Sequence, residues 1–94
     1  MPIQFSKRAE ADLASIGDFI AKDSLAYAAK FTDEIVTILT TLLESSPKSG
    51  RPGRVVGTRE LIIRHNYIVA YRVKKEGIVI VTIRHTSRLW PKTM

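Results

Sequence analysis

Cysteine is absent from the 94 residues, which excludes a disulfide framework, a thiolate metal site and a thiol nucleophile. No apolar run approaches the roughly 20 residues that a membrane-spanning helix needs. The N-terminal residues 1–5 also lack the basic-then-apolar order of a secretion signal. We therefore expect a cytoplasmic protein that does not associate with membranes. Because 45% of the residues are apolar, we expect residues 1–94 to fold as one globular domain with a single core.

Acidic residues are scarce in the second half of the chain. Residues 1–46 hold four Lys/Arg and seven Asp/Glu, whereas residues 47–94 hold eleven Lys/Arg and only two acids, Glu60 and Glu76. The two halves therefore carry −3 and +9, which together give the net charge of +6. A surface dominated by one sign of charge attracts polyanions or acidic proteins, so we expect function to lie in the second half.

The first half predicts a short strand and a helical hairpin. Ile3 and Phe5 alternate with polar neighbours, and Ser6 can cap a following helix. A second helix begins with Asp23 or Ser24 as its cap and runs to about residue 44. Apolar residues recur in both helices at spacings of three and four, at Ala9, Leu13, Ile16, Ile20, Ala28, Phe31, Ile35, Ile38 and Leu42. Both helices are thus amphipathic, and the Ser-, Pro- and Gly-rich residues 45–53 after them predict a linker.

Beyond the linker the apolar period becomes two. Residues 59–64, 67–73 and 78–83 are rich in Ile, Val and Tyr and are joined by short loops, which predicts three antiparallel strands. The last of these is apolar at nearly every position, which indicates cover on both faces or a partner on one. We therefore predict an α+β fold. It has a short N-terminal strand, a two-helix hairpin and a three-stranded antiparallel meander, with the helices packed on one face of the sheet.

Sequence motifs for cofactors and metals are missing. The chain has no GxGxxG or GxxxxGK[ST] phosphate loop, no HExxH metal-binding pair and no GxSxG nucleophile motif. The two histidines, His65 and His85, have no neighbouring acids. We therefore expect neither a cofactor nor a metal ion.

Arginines dominate the cations of the second half, at positions 51, 54, 59, 64, 72, 84 and 88. Arginine binds phosphate or carboxylate through two parallel hydrogen bonds. In one interpretation these side chains hold a phosphodiester and His85 or a tyrosine, Tyr67 or Tyr71, moves a proton, as in metal-free ribonucleases. In a second, the basic surface docks an acidic protein segment or a nucleic acid. The plainest alternative is a solvated sheet face, with Trp90 as a C-terminal plug packed on the helices.

The order of several short motifs resembles the RelE/ParE family of toxins from bacterial type II toxin–antitoxin modules. GRPGR is followed by GTREL, by the strand NYIVAYRV and by RHTSRLWP, all after two amphipathic helices. The resemblance covers essentially the whole chain. It implies a small toxin that forms a hetero-oligomer with an antitoxin, whose acidic, partly disordered segment wraps the toxin and folds on binding.

The resemblance leaves the target open between two branches of the family. RelE-like members cut mRNA on the ribosome with basic residues on the second and third predicted strands, where this chain has Glu60, Ile62 and Ile68. A ribonuclease would then depend on Arg84, His85 and Arg88. An acid and two apolar side chains cannot hold a scissile phosphate, and this departure favours the ParE-like branch, which is associated with inhibition of DNA gyrase.

In the ParE-like case we expect the target- or partner-binding residues to be contacts rather than catalysts, at Arg84, His85, Arg88 and Trp90, with Arg59 beside them on the sheet. Three hypotheses therefore remain. The chain is a gyrase inhibitor, a ribosome-dependent mRNA endonuclease, or a basic partner-binding domain without toxicity.

Overall fold

The computed structural model describes residues 2–86, and these residues form two helices and one five-stranded sheet. The elements are β1 (Ile3–Phe5), α1 (Lys7–Ala21), α2 (Leu25–Ser45), β2 (Arg51–Pro52), β3 (Arg59–Ile63), β4 (Tyr67–Lys74) and β5 (Gly77–His85). The strand order is β1-β5-β4-β3-β2. β1 is parallel to β5, and every other pair is antiparallel. The predicted α+β architecture is confirmed.

Serine side chains begin both helices. The Ser6 hydroxyl accepts a hydrogen bond from the backbone N–H of Ala9 at 3.0 Å and donates one to the carbonyl of Val81 on β5 at 2.8 Å. Ser24, rather than Asp23, caps α2 by accepting from the N–H of Tyr27 at 3.1 Å. Ser6 therefore joins α1 to the sheet, whereas Ser24 satisfies only its own helix.

The residues expected to form a linker contain the edge strand β2. Arg51 and Pro52 pair with Glu60 and Arg59 of β3, and Pro52 is tolerated because an edge strand needs few donors. The N–H of Gly50 donates to the hydroxyl of buried Tyr71 at 2.8 Å. A Cβ at Gly50 would lie 2.7 Å from that oxygen, so only glycine fits at this position.

The core lies between the helix pair and one face of the sheet. α2 contributes Phe31, Ile35, Leu39 and Leu43, and these pack with Val69, Tyr71, Ile78, Ile80 and Ile83 of the sheet. Gly17 lets α1 approach α2 closely, since a Cβ there would meet the Thr32 methyl at 3.3 Å. The predicted packing of the helices on one face is thereby confirmed.

A bulge explains why β5 is apolar at nearly every position. Ala70 pairs with Thr82 and Tyr71 pairs with Ile80, so Val81 is the extra residue. The insertion shifts the alternation by one residue. Ile80 and Ile83, three positions apart, therefore both join the core cluster, and part of the apolar run needs no cover on the second face.

The dual role of Ser6 predicts an asymmetry between the two caps. Ser6→Ala removes a helix cap and the tie to Val81, so we expect a loss of about 1–2 kcal/mol in the free energy of unfolding. Ser24→Ala removes only an exposed cap and should cost about 0.5–1 kcal/mol. Urea unfolding followed by circular dichroism measures both values, and equal losses would contradict the role of Ser6 at the sheet.

Candidate functional site

Three side chains form a row across the face of the sheet that the helices do not cover. Ile62 of β3 is the cross-strand partner of Ile68 on β4, and Ile68 is the partner of Arg84 on β5. Cross-strand partners share a face, and this row alternates with Val69 and Ile83, which face the core. Ile62 is 53% exposed and Ile68 is 5% exposed. Of these three positions, Arg84 alone carries a charge.

Glu60 lies on the same face, but its carboxylate has a structural role. Its side chain is only 2% exposed. One carboxylate oxygen accepts from the backbone N–H of Arg54 at 2.7 Å, and the other lies 3.7 Å from the Arg54 Nε. A buried carboxylate is stable only when it is paired and hydrogen-bonded, and here it fixes the loop between β2 and β3. Its charge is unsuited to binding a phosphate.

Arg59 lies apart from Arg84 and His85, which corrects the expectation that it stands beside them on the sheet. It pairs with Tyr71 across β3 and β4, whereas Arg84 pairs with Ile68 on the other side of β4. The Arg59 guanidinium donates to the carbonyl of Gly50 at 2.7 Å and to that of Lys48 at 3.4 Å. Arg59 therefore stabilises the loop between α2 and β2.

An aromatic row leads from α2 to the end of β5. The ring centroids of Tyr27 and Phe31 are 5.9 Å apart, those of Phe31 and Tyr67 are 5.5 Å apart, and the Tyr67 and His85 rings meet edge to face at 5.3 Å. Such pairs stabilise beyond the area they bury. They hold the His85 ring beside Tyr67. Tyr71, by contrast, is fully buried, and its hydroxyl accepts a hydrogen bond from the N–H of Gly50.

Asp12 is a site residue that sequence reasoning missed. Its Oδ2 accepts from the Thr82 hydroxyl and, at 3.1 Å, from the N–H of Ile83. β1 pairs only with residues 78–80 of β5, so Asp12 supplies an acceptor at the edge that β1 leaves open. The signal in the sequence is an acid placed three residues after Ala9 and four before Ile16, on the apolar side of α1.

A groove of about 430 Å³ runs between α1 and the end of β5. We call it the α1–β5 groove, and its walls include Asp12, Phe19, Ile20, Tyr67, Arg84 and His85. The Nε of Arg84 is buried and has no hydrogen-bond partner among residues 2–86. The groove therefore lies next to Arg84 and His85, the last two residues of β5.

The turn between β3 and β4 borders a second groove. Arg64 and His65 have positive φ values of 52° and 63°, a conformation that costs non-glycine residues roughly 1–2 kcal/mol each. The Arg64 guanidinium pairs with Glu34 and lies 5.7 Å from the centroid of the Phe31 ring. These contacts with α2 hold the strained turn in place.

Arg88 and Trp90 lie outside the described residues, so their predicted roles remain predictions. Within residues 2–86, no group of three or more His, Asp or Glu side chains is placed to hold a metal ion. No helix in this part of the chain has both the length and the apolar character to cross a membrane.

Comparisons of the sequence agree with the geometry of the fold. A family model described as "ParE toxin of type II toxin-antitoxin system, parDE" matches residues 3–90. The chain is 38% identical over 93 residues to "Putative toxin Y4kP" of Sinorhizobium fredii, covering 98% of this chain and 95% of that protein. It is 35% identical over 82 residues to "Toxin RelE2" of Caulobacter vibrioides, covering 87% and 91%.

Solved structures of chains from toxin–antitoxin systems resemble this fold. A chain of the chromosomal ParDE toxin–antitoxin system from P. aeruginosa superposes with a TM-score of 0.81 at 28% identity, covering 93% of this chain and 97% of that one. A chain of the E. coli RelBE toxin–antitoxin complex superposes at 0.60 with 16% identity, covering 92% and 96%. The second likeness concerns the fold alone.

The structural role of Glu60 predicts how substitutions will act. Glu60→Leu leaves the Arg54 N–H without an acceptor, so we expect a loss of about 1–3 kcal/mol in the free energy of unfolding. Glu60→Gln keeps a carbonyl oxygen at that place and should cost less than half as much. Glu76→Leu, at an exposed acid in the turn before β5, is the control and should stay within about 0.5 kcal/mol of wild type. Urea unfolding measures all three, and a fully stable Glu60→Leu variant would show that the loop does not depend on this carboxylate.

Proposed function

Because the chain belongs to the ParE toxin family of type II toxin–antitoxin systems, we propose that it inhibits DNA gyrase and that a cognate antitoxin neutralises it. The toxin–antitoxin assignment follows from the family, and the target is the proposed step. Inhibition here means binding to a protein target, without catalysis by the toxin itself.

The observation that carries the proposal is the row of Ile62, Ile68 and Arg84 beside Glu60. Cleavage of a phosphodiester without a metal ion requires several donors or cations around the phosphorus, where negative charge develops in the transition state. On this face two positions are apolar and a third is a carboxylate that is 2% exposed and tied to Arg54. Arg84 alone in this row cannot replace such a set, and the row is better suited to contact with a protein surface.

The charge distribution supports an antitoxin with an acidic segment. Seven of the nine acids fall in residues 1–46, and eleven of the fifteen cations fall in residues 47–94. A disordered acidic segment gains electrostatic attraction as it folds onto a basic surface. The structural neighbour at 28% identity comes from a ParDE toxin–antitoxin system, which supports a hetero-oligomer for this chain as well.

We assign the contacts with target or partner to the C-terminal end of the sheet and the residues after it. Arg84 and His85 end β5, and Arg88 and Trp90 follow within five residues in the sequence. Arg59 contributes positive charge from the opposite side of β4, where its guanidinium holds the loop before β2. In this assignment none of these residues has a catalytic role.

A ribosome-dependent mRNA endonuclease is the second candidate. Two observations favour it, namely the 35% identity to Toxin RelE2 and the position of His85, whose ring is held edge to face against Tyr67 next to Arg84. In that case Arg84, His85 and Arg88 are the catalytic group, with the histidine moving the proton.

Two parallel assays separate these candidates. We expect the purified toxin, free of antitoxin, to inhibit supercoiling by gyrase or to trap cleaved DNA, and to leave mRNA intact in a translating ribosome mixture read by primer extension. Codon-positioned cuts in mRNA with normal supercoiling would overturn the proposal. Normal growth of cells that express the toxin alone would indicate instead a partner-binding domain without toxicity.

Alanine substitutions at Arg84, His85 and Arg88 distinguish gyrase binding from mRNA cleavage. In the gyrase-directed case we expect each variant to need a higher concentration for the same inhibition, because each removes one contact among several. In the ribonuclease case any one of them should abolish mRNA cleavage while the circular dichroism spectrum stays unchanged. Cleavage that persists in all three would exclude them as catalytic residues.

A further inference from the structure

Three cations share the sheet face that the helices do not cover, between the β2 edge and the end of β4. Arg51 of β2 is the cross-strand partner of Glu60, and cross-strand partners share a face. Arg72 follows Tyr71, which packs in the core, so the alternation of the strand turns Arg72 to the uncovered face. Lys74 lies two residues further along β4 and has the same orientation. We call Arg51, Arg72 and Lys74 the basic patch.

The charges of the basic patch are not balanced by neighbouring acids. The acid closest to it by register, Glu60, is 2% exposed, and its carboxylate is bound by the backbone N–H and the side chain of Arg54. Among residues 2–86, no carboxylate lies within 4.0 Å of the charged group of Arg51, Arg72 or Lys74. The patch therefore presents a positive potential to solvent.

The loop between β2 and β3 projects beside the basic patch. The Arg72 guanidinium donates to the carbonyl of Val56 in this loop at 3.3 Å, and the Val56 side chain is 94% exposed. One such bond to a neutral carbonyl leaves most of the guanidinium N–H donors, and all of its charge, for another acceptor. Arginine binds phosphate through two parallel hydrogen bonds, so Arg72 is positioned for an anion that approaches over the sheet.

The spacing of the cations fits a row of phosphates. Arg72 and Lys74 lie about 7 Å apart along β4, and β2 lies about 10 Å from β4 across the sheet. Each strand of a DNA duplex presents a phosphate about every 3.4 Å along the helix axis, so the three cations can reach separate phosphates. A stably bound protein segment also needs apolar anchors, whereas Ala70, on the same face between β3 and β5, is fully buried.

We propose that the basic patch binds the phosphate backbone of duplex DNA, namely the segment that gyrase holds. The proposal rests on the proposed function, because gyrase makes DNA the nucleic acid that this toxin meets. Contacts with phosphates carry no base information, so binding is independent of sequence. The row of Ile62, Ile68 and Arg84 lies further along the strands, which leaves it available to a protein while the patch contacts DNA.

The test compares two triple variants that lose the same charge. The patch variant carries Arg51→Gln, Arg72→Gln and Lys74→Gln. The control variant carries Lys7→Gln, Arg8→Gln and Lys30→Gln, at exposed positions of α1 and α2. The single variant Arg72→Lys keeps the charge and changes only the hydrogen bonding. Circular dichroism and urea unfolding establish that all of them fold.

The measurement is the fluorescence anisotropy of a labelled duplex of about 20 base pairs, titrated at several salt concentrations with toxin free of antitoxin and gyrase. For wild type we expect the logarithm of the association constant to fall with the logarithm of the salt concentration at a slope of about −2.7, or about −0.9 for each of three phosphates. The patch variant should have a slope near zero and bind about tenfold or more weakly at low salt. The control variant and Arg72→Lys should stay within about 0.5 of the wild-type slope. In the supercoiling assay, only the patch variant should need several-fold more protein.

Four results would overturn the proposal. Equal slopes for the patch and control variants would exclude the patch as the DNA contact. Tighter binding of wild type to single-stranded RNA than to duplex DNA would assign the patch to RNA. A patch variant that keeps its affinity for DNA but loses the antitoxin would assign the patch to that protein. A patch variant that loses DNA but inhibits gyrase like wild type would separate the patch from the DNA that gyrase holds.

The proposed target and the basic patch fail independently. Because the anisotropy titration contains no gyrase, wild type that binds DNA with the expected slope but leaves supercoiling unaffected would refute the gyrase target alone. Inhibition of supercoiling by a wild-type toxin that does not bind the duplex would refute the patch alone.

Discussion

The attachment of α1 to the edge of β5 is the constraint on which the functional end of the molecule depends. β1 covers only the first part of that edge, and beyond it the Ser6 hydroxyl and the Asp12 carboxylate satisfy the backbone of Val81 and Ile83. Unpaired backbone groups at a sheet edge otherwise need water or another chain. Because one helix supplies both side chains, the distance between α1 and β5 is fixed. That distance creates the α1–β5 groove and places Phe19 opposite the end of β5.

At the other side of the sheet, polar residues are used to hold loops. Gly50 donates to the Tyr71 hydroxyl, Arg59 holds the carbonyl of Gly50, and Glu60 holds the backbone of Arg54. These contacts occupy an arginine, a tyrosine and a carboxylate that could otherwise act on a substrate. The physical consequence is a sheet whose β3 side is structural, with Arg84, the one charged residue of the row, at the β5 side. This division agrees with a protein that binds its target.

The sequence by itself determined the two amphipathic helices, the Ser6 cap, the three long strands and the separation of acidic and basic halves. These features depend on local periodicity and composition, which neighbouring residues define. Only the tertiary structure decided the parallel pairing of β1 with β5, the edge strand β2, the bulge at Val81, the burial of Glu60 and the separation of Arg59 from Arg84. Each of these depends on tertiary packing and not on local periodicity. A side chain such as Arg59 or Asp12 takes whichever backbone partner the packing brings near. The same charged residue can therefore bind a partner or hold a loop, and its spacing in the sequence does not distinguish the two.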